Sequence, residues 1–449
     1  MIEPTIKNLI NKYAANGPRY TSYPTAVHFS ENENKETLTR YALEQGKDCS
    51  LYIHIPFCKS LCWFCACTSE ICLDSSKADE YLDLLDLEFS LWQKKSFVKR
   101  NLVQIHFGGG TPNFLTPKQI LRLNEIIKKY FEKEEGKNCE FSVELDPRTL
   151  SQEKIEAFAQ IGVNRASVGV QDSNEEVQKA INRIQSMEMN FFAFETLRKN
   201  GIAKINIDLM YGLPLQSLEK FEKTLNDAMS LNPDRIALFS YAHVPWLKAS
   251  QKILERKKLP SVDEKVECFL SALDFFTKAN YEYIGLDHFA KSDDDLIKAR
   301  QAGTLQRNFQ GYSTCANVDS FGAGLSSISQ TKMSYRQNYK DMNEYANSLK
   351  SGILPIERGI VLNAEDDFRR KMIFSIMCNL KLDADSFADK ELYMKIFNSA
   401  RESLEDMQKD SLITLNGNSF TVTTTGRIFL RNIAMLFDGR QMSRHSSTL

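Results

Sequence analysis

The feature that most constrains the fold is an alternation of strand-like and helix-like segments between residues 49 and 279. Each strand-like segment is rich in apolar residues, and segments with helical spacing separate them. Such alternation predicts parallel strands joined by helical crossovers. Periodicity alone leaves two α/β folds open, a doubly wound sheet and an incomplete barrel. The predicted strands span residues 49–57, 102–107, 140–145, 165–170, 204–211 and 235–241.

The sequence as a whole is predicted to divide into three segments. Residues 1–47 are polar and irregular, and the two prolines of residues 18–24 favour an extended N-terminal arm. Residues 48–360 hold the alternating region and an extension with further strand signals, including residues 283–290. Residues 361–449 predict a separate, mainly helical C-terminal domain with one hairpin turning at Asn416-Gly417.

Composition excludes several classes of protein. Among 449 residues, 57 Lys and Arg balance 58 Asp and Glu, so the basic surplus of a nucleic-acid-binding protein is absent. No apolar run approaches the ~18 residues of a membrane span, and the first residues lack a signal-peptide core. We therefore expect a cytoplasmic protein with no nucleic-acid or membrane partner. In that compartment the ten cysteines are expected to be ligands, catalytic thiols or core residues and not disulfides.

Three cysteines form the most informative motif. Cys58, Cys62 and Cys65 have C-x3-C-x2-C spacing directly after the first predicted strand. Three thiolates on one loop suit an iron–sulfur cluster, and a [4Fe–4S] cube held by three would keep one iron open for a small molecule. Cys67 lies too close to Cys65 to reach the far corner of the cube easily. Structural zinc usually draws on two separated pairs, and a redox C-x2-C pair would leave Cys58 unexplained.

Polar residues at strand ends give the second signal. A glycine-rich turn, residues 108–112, ends the second strand, Glu144 ends the third and Gln171 the fourth, and Asp208 lies within the fifth. Barrel active sites lie at the carboxyl ends of the strands. These residues are therefore predicted to form one concave face with the loop that carries Cys58, Cys62 and Cys65 (the cysteine loop), which favours an incomplete barrel over a doubly wound sheet. A plain tight turn and buried ion pairs are the structural alternatives.

The cysteine motif after Tyr52-Ile-His-Ile-Pro-Phe57 resembles that of the radical S-adenosylmethionine (SAM) superfamily. The resemblance implies a partial (β/α)6 barrel and a [4Fe–4S] cluster whose open iron binds SAM, which is cleaved to a 5′-deoxyadenosyl radical. Further motifs resemble one family within it, the oxygen-independent coproporphyrinogen III oxidases (coproporphyrinogen dehydrogenases). They are Pro18-Arg-Tyr-Thr-Ser-Tyr-Pro24, His106-Phe-Gly-Gly-Gly-Thr-Pro112, Gly169-Val-Gln-Asp172, Asn206-Ile-Asp-Leu209 and Arg307-Asn-Phe-Gln-Gly-Tyr312.

That resemblance implies an oxidoreductase of haem biosynthesis. The expected reaction is oxidative decarboxylation of two propionate side chains of coproporphyrinogen III to vinyl groups, which gives protoporphyrinogen IX. The alternatives are a paralogue that acts on another tetrapyrrole and a haem-binding chaperone. An electron donor protein such as flavodoxin or ferredoxin is expected as a partner, and the chain is expected to be a monomer.

The resemblance also assigns residues. Cys58, Cys62 and Cys65 match the cluster ligands, and Cys67 matches a required cysteine that is not a ligand. Two SAM molecules are implied in one site. Positions matching SAM contacts are Tyr52, Phe64, Gly109, Gly110, Thr111, Glu144, Gln171, Arg183, Asp208, Ala242 and Ile328.

The substrate residues are less strongly indicated. Guanidinium groups pair well with carboxylates, so Arg19 and Arg307 are candidates for holding the substrate's propionates, although either could form a structural ion pair. Tyr20 and His54 are candidates for lining the pocket, with anchoring of the arm and packing in the strand as their alternatives.

Overall fold

The computed structural model describes residues 4–15, 17–44, 46–95, 98–134 and 139–440. The helices are α1 (Pro4–Tyr13), α2 (Lys35–Leu43), α3 (Lys77–Lys94), α4 (Pro117–Tyr130), α5 (Gln152–Gln160), α6 (Glu175–Ala180), α7 (Met187–Lys199), α8 (Leu218–Ser230), α9 (Val262–Lys278), α10 (Asp295–Gln301), α11 (Met342–Lys350), α12 (Ala364–Asn379), α13 (Lys390–Lys409) and α14 (Leu430–Met435). The strands are β1 (Asp48–Ile55), β2 (Phe57–Cys58), β3 (Glu70–Ile71), β4 (Asn101–Gly109), β5 (Glu140–Leu145), β6 (Arg165–Gln171), β7 (Lys204–Tyr211), β8 (Arg235–Ser240), β9 (Tyr281–Gly285), β10 (His288–Lys291), β11 (Gln306–Asn308), β12 (Gly311–Ser313), β13 (Asp319–Ala323), β14 (Ile328–Gln330), β15 (Ser334–Asn338), β16 (Ile356–Val361), β17 (Lys381–Leu382), β18 (Ile413–Asn416) and β19 (Ser419–Val422).

The predicted barrel strands form the centre of the larger of two compact units, which comprises Phe29–Ala272 and Asn317–Val361. Strands β1, β4, β5, β6, β7 and β8 are neighbours in that order, and every adjacent pair is parallel. Within the described residues β8 does not pair with β1, so the run is open. The predicted α/β fold, a partial six-stranded barrel with helical crossovers, is confirmed.

The extension enlarges this sheet in a way the sequence pattern does not reveal. Strand β13 pairs in parallel with β1 on the side away from β4, and β14, β15 and β16 continue antiparallel beyond it. Strand β1 therefore lies inside the sheet with a parallel neighbour on each side, and it carries the cysteine loop at its carboxyl end.

Two buried polar side chains on α3 hold the loop after β13. Glu88 is fully buried and accepts hydrogen bonds from the Gly324 N–H (2.8 Å) and the Tyr345 hydroxyl (2.6 Å). The Tyr81 hydroxyl donates to the His54 carbonyl (2.7 Å) and accepts from the Leu325 N–H (2.9 Å). Buried polar groups are costly unless they are paired, and these bonds tie α3, the end of β1 and the loop after β13 together.

The smaller unit comprises the described residues of Met1–His28, Leu273–Ala316 and Leu362–Leu449. The region beyond residue 361 is mainly helical, as expected, and it also holds a small sheet in the order β17-β19-β18. The boundaries of these two compact units differ from those of the three predicted segments, 1–47, 48–360 and 361–449. That the three segments are separate domains stays a prediction.

The structure refines two sequence predictions in the smaller unit. The strand signals at residues 283–290 belong to an antiparallel pair, β9 and β10, which Leu286 separates with a φ of 55°. The predicted hairpin exists, but Asn416 pairs with Ser419, so its two-residue turn is Gly417-Asn418 and not Asn416-Gly417.

Among the described residues, no helix is long and apolar enough to cross a membrane.

Candidate active site

The cysteine loop is closed at its base by a short parallel pairing. Strands β2 and β3 place Phe57 opposite Glu70 and Cys58 opposite Ile71. The Glu70 N–H donates to the Pro56 carbonyl (2.7 Å), and the Cys72 N–H donates to the Cys58 carbonyl (2.9 Å). The residues between them are therefore held as one loop at the carboxyl end of β1.

This loop forms one wall of a cavity of about 180 Å³ in the larger unit. The other walls come from the carboxyl ends of β4, β5, β6 and β7, as barrel topology requires. The cavity brings together most of the predicted cluster and SAM residues, namely Cys58, Cys62, Cys65, Cys67, Phe64, Gly109, Gly110, Thr111, Glu144, Gln171, Arg183 and Asp208.

Four other predicted residues of this unit are absent from the described wall of the cavity. The Tyr52 ring stacks on His106 with centroids 5.8 Å apart, and its hydroxyl lies 3.0 Å from His54 Nδ1. The other ring nitrogen of His54 lies 2.8 Å from the Thr68 carbonyl oxygen, so both are engaged within the protein. Ala242 follows β8, and Ile328 begins β14.

Two arginines direct N–H groups at the most buried of the three motif thiols. Arg148 Nη2 lies 3.2 Å from Cys62 Sγ, and Arg183 Nη1 lies 3.6 Å from the same sulfur. Both guanidinium groups also pair with Asp146, at 2.6 and 3.2 Å. Burial alone would raise the pKa of Asp146, but these two cations hold it below its ordinary value.

The other thiols also have polar neighbours. Cys58 Sγ lies 3.3 Å from the Thr111 hydroxyl, and burial raises the pKa of Cys58 to about 11. The Cys67 N–H donates to Cys65 Sγ (3.4 Å). A hydrogen bond from the Cys67 thiol lowers the pKa of Cys65 to about 6, and the same bond raises that of Cys67 well above its ordinary value. Cys67 is therefore a protonated thiol beside an easily ionised one.

The donor set fits a [4Fe–4S] cluster. Three thiols from one loop face one cavity, and N–H groups point at two of the sulfurs, the kind of hydrogen bonding that tunes cluster sites. Among the described residues, no group of three or more His, Cys, Asp or Glu side chains is arranged to hold a metal ion. The fit therefore rests on the chemistry and common orientation of the thiols.

The glycine turn after β4 allows very close approach of two chain segments. Gly109 has a φ of 116°, and a Cβ there would lie 2.8 Å from the His54 ring. A Cβ on Gly110 would lie 2.8 Å from the Pro56 carbonyl oxygen. Any side chain at these positions would push the turn away from the cysteine loop.

Glu144 is a fixed anion in the cavity wall. Its carboxylate accepts from the Gly109 N–H (3.2 Å) and lies 3.1 Å from His106 Nε2. Burial would raise the pKa of Glu144, but the hydrogen bonds from His106 and the Gly109 N–H outweigh it and hold the pKa below its ordinary value. Glu144 can therefore accept hydrogen bonds from a cationic ligand such as an ammonium group.

The pKa of Asp208 is shifted in the opposite direction to that of Glu144, although both carboxyl groups line the same cavity. Burial, and next the negative charge of Glu144, raise the pKa of Asp208 to about 7, while the Ser167 hydroxyl donates to Asp208 (3.1 Å). At neutral pH the ionised Glu144 can therefore accept hydrogen bonds from a ligand, while the partly protonated Asp208 can donate one.

Gln171 ends β6 in a conformation that few L residues adopt. Its φ is 65°, and its side-chain amide would lie 2.8 Å from a Cβ on Gly169. Strained backbone of this kind concentrates at ligand sites.

Sequence reasoning missed Asp146, Arg148 and His106 as parts of this site. The signal was present for Asp146 and Arg148, because both closely follow β5 at the edge where the other site residues lie. His106 was quoted only as part of a motif, although it is two residues from the glycine turn.

The predicted substrate residues of the smaller unit have partners there. Arg19 forms an ion pair with Asp287 (2.9 Å), and the Tyr20 hydroxyl donates to Asp438 (2.9 Å). Arg307 is buried and donates from Nε to the Arg19 carbonyl (3.4 Å), while its Nη1 has no hydrogen-bond partner among the described residues. That free N–H suits a carboxylate ligand.

Comparison with known proteins agrees with this geometry. A family model described as the Radical SAM superfamily matches residues 52–228, from β1 and its cysteine loop into α8. The fold and the cavity therefore define a radical SAM protein.

Relatives that match nearly the full length of this chain show which family of radical SAM proteins it belongs to. An oxygen-independent coproporphyrinogen III oxidase of Helicobacter pylori is 42% identical over 435 residues, which cover 95% of each chain. One of Escherichia coli is 39% identical and is matched over 96% of this chain and 94% of its own. The chain belongs to the oxygen-independent coproporphyrinogen III oxidase family.

A solved structure supports this assignment. Coproporphyrinogen III oxidase (HemN) from Escherichia coli, described as a radical SAM enzyme, is similar to this chain with a TM-score of 0.89 and 38% sequence identity. The match covers 94% of this chain and 97% of that one, so it extends well beyond the superfamily region.

Proposed function

We propose that this chain is a radical SAM oxidoreductase that converts two propionate side chains of coproporphyrinogen III to vinyl groups, giving protoporphyrinogen IX in haem biosynthesis. The proposal rests on one observation: three motif thiols face the same cavity as Glu144 and Asp208, in a chain that matches coproporphyrinogen III oxidases over 95% of its length.

Cys58, Cys62 and Cys65 would hold a [4Fe–4S] cluster, with Arg148 and Arg183 as N–H donors to the Cys62 sulfur. When bound, the cluster and SAM would supply the radical chemistry that removes hydrogen from a propionate. The residues of the chain would bind and orient the reactants and exclude water from them.

The roles of the wall residues follow from their chemistry. Glu144 would accept hydrogen bonds from the SAM amino group, and the Gly109–Gly110 turn lets that group approach the backbone. Asp208 would remain partly protonated and could donate to an oxygen of the ligand. We propose the remaining resemblance positions, Tyr52, Phe64, Thr111, Gln171, Arg183, Ala242 and Ile328, as further SAM contacts, shared by two SAM molecules.

Substrate binding would depend on the arginines. The free Nη1 of Arg307 favours it as a carboxylate ligand, whereas the ion pair with Asp287 already neutralises Arg19. Cys67 would act as a protonated thiol beside the cluster and not as a ligand. We further propose a cytoplasmic monomer that receives electrons from a flavodoxin or ferredoxin.

An anaerobic assay tests the reaction directly. Purified protein, which should be brown from thiolate-to-iron absorption, is supplied with dithionite, SAM and coproporphyrinogen III, and protoporphyrin is measured after oxidation. Formation of 5′-deoxyadenosine without decarboxylation would favour a paralogue that acts on another tetrapyrrole. A colourless protein that retains only zinc would contradict the proposal altogether.

A further inference from the structure

A basic segment packs directly against the cysteine loop. Residues 246–258 follow β8, and Gln251 Nε2 donates to the Phe64 carbonyl at 2.9 Å. Lys248 Nζ donates to the Cys67 carbonyl at 3.1 Å. The segment is thus hydrogen-bonded to the backbone of the loop that carries the three motif thiols.

The inner face of this segment is fixed by packing. Leu254 is fully buried in a cluster of apolar residues, and the partly buried Trp63 and Phe64 of the cysteine loop pack against that cluster. Gln251 is also fully buried. The segment therefore has a defined position on the loop.

The outer face is basic and contains large apolar side chains. Lys252, Arg256 and Lys257 are exposed, and no carboxylate of the described chain forms an ion pair with any of them. Residues 246–258 hold five basic residues and one acidic residue, in a chain whose net charge is -1.

Two further side chains complete this surface. Trp246 and Leu247 are 74% and 72% exposed, which is unusual for residues of their size. Exposed aromatic and aliphatic groups beside basic residues are typical of the centre and rim of a protein interface.

We propose that residues 246–258 form the docking surface for a small acidic one-electron carrier protein. This inference rests on the proposed function, because a reducible centre must be held by the neighbouring thiols. One electron passes from the reduced carrier to that centre; the carrier is oxidised, the centre is reduced, and no atom or proton is transferred.

Position and charge favour this occupant. Electron transfer falls steeply with distance, so a donor gains by docking on the surface nearest the cysteine loop, and this segment contacts that loop directly. A local basic surface in a nearly neutral chain would steer an acidic protein to this face without attracting polyanions to the whole molecule.

Paired charge reversals test the proposal. Lys252→Glu with Arg256→Glu changes two exposed residues of the segment and leaves Lys248 and Gln251, which bond to the loop, untouched. The control pair is Lys128→Glu with Lys199→Glu, which makes the same charge change in the last turns of α4 and α7, at the opposite ends of those helices from the site. The milder Lys252→Gln with Arg256→Gln pair serves if the first pair folds poorly.

The probe is an acidic bacterial flavodoxin, and two quantities are measured anaerobically. The first is its affinity for the purified protein at several salt concentrations; the second is the rate of 5′-deoxyadenosine formation driven by reduced flavodoxin or by dithionite. We expect about tenfold weaker binding in the reversed pair, a reduced salt dependence and a matching loss of the flavodoxin-driven rate. The dithionite-driven rate and the control pair should be unchanged.

Three results would overturn the docking proposal: equal flavodoxin affinity in both pairs, an equal loss with flavodoxin and dithionite, or binding of phosphatidylglycerol vesicles that the reversed pair abolishes while flavodoxin binding persists. If wild-type protein makes no 5′-deoxyadenosine with dithionite, the proposed function fails, and flavodoxin affinity still decides the docking surface independently.

Discussion

His106 Nε2 and Glu144 Oε1 lie 3.1 Å apart, on the adjacent parallel strands β4 and β5. A carboxylate only accepts hydrogen bonds, so the imidazole must carry its proton on Nε2 and can accept from the Ser142 hydroxyl at Nδ1, 2.5 Å away. With the Gly109 N–H on its second oxygen, Glu144 is held by two donors and keeps its orientation without a ligand.

Glu144→Gln is therefore expected to weaken SAM binding without loss of iron. Replacing the anion removes a charge-assisted hydrogen bond worth about 1.5–3 kcal/mol, or roughly 10- to 150-fold in affinity. Equilibrium dialysis with labelled SAM on cluster-loaded protein gives the affinity, and an iron assay gives the occupancy. Glu140→Gln, at the opposite end of the same strand and paired with Arg165, is the matched control. Unchanged SAM affinity in Glu144→Gln would remove Glu144 from the site.

Asp208→Asn is expected to change how stability depends on pH. Because the folded-state pKa of Asp208 is raised from 3.8 to about 7, the native state holds its proton more tightly than the unfolded state does. Wild-type stability is therefore lost through this group as pH rises from about 4 to about 7 and is constant above that range. Asn cannot ionise and avoids this loss.

The difference in melting temperature between Asp208→Asn and wild type should thus grow across that pH range, by about 1 °C for each kcal/mol in a chain of this length. Thermal unfolding followed by circular dichroism measures it. The exposed Asp83→Asn change, measured over the same pH range, is the control. A difference that shrinks toward pH 7 would show that Asp208 is ionised in the folded protein.

Two cysteine substitutions separate ligand from non-ligand. Cys62→Ser should lose most of the iron, because Ser would replace one of the three proposed thiolate ligands, whereas Cys67→Ser should keep the iron and the visible absorption but lose turnover. Anaerobic iron analysis and the absorption spectrum of each variant provide the comparison. Equal iron loss in the two variants would make Cys67 a ligand.

Tyr81→Phe tests the hydroxyl that joins β1 to the loop after β13. Its removal leaves the His54 carbonyl and the Leu325 N–H without their partner in a buried place, at a cost of about 1–3 kcal/mol. Urea unfolding should show a lower midpoint. Tyr339→Phe is the control, because the Tyr339 hydroxyl has no hydrogen bond within the described part of the chain. Equal midpoints for Tyr81→Phe and wild type would contradict this role.

The sequence predicts the parallel strands well because apolar runs and helical spacing are local signals. Strands β5 and β7 have the predicted bounds, 140–145 and 204–211. Strand β13, Asp-Ser-Phe-Gly-Ala, has no apolar period, and its partner β1 lies far away in the chain, so no local pattern could reveal that pairing.

The candidate site shows the same division. Glu144 and Gln171 could be placed because strand ends converge in a barrel, which is a property of the topology. Arg148 and Arg183 both pair with Asp146 because two long side chains extend toward it from different loops. The spacing of residues in the sequence does not predict such contacts.

The position of β1 between β4 and β13 also bears on how the protein is made. A nascent chain that has passed β8 but not β13 already carries every residue of the cysteine loop on a strand with one open edge. Open edges invite wrong pairing, so the unfinished chain gains from protection by chaperones. The loop after β13, which Glu88 and Tyr81 fasten to the end of β1, is made later still. The carboxyl end of β1 is therefore expected to reach its final position only after residues 319–325 have left the ribosome.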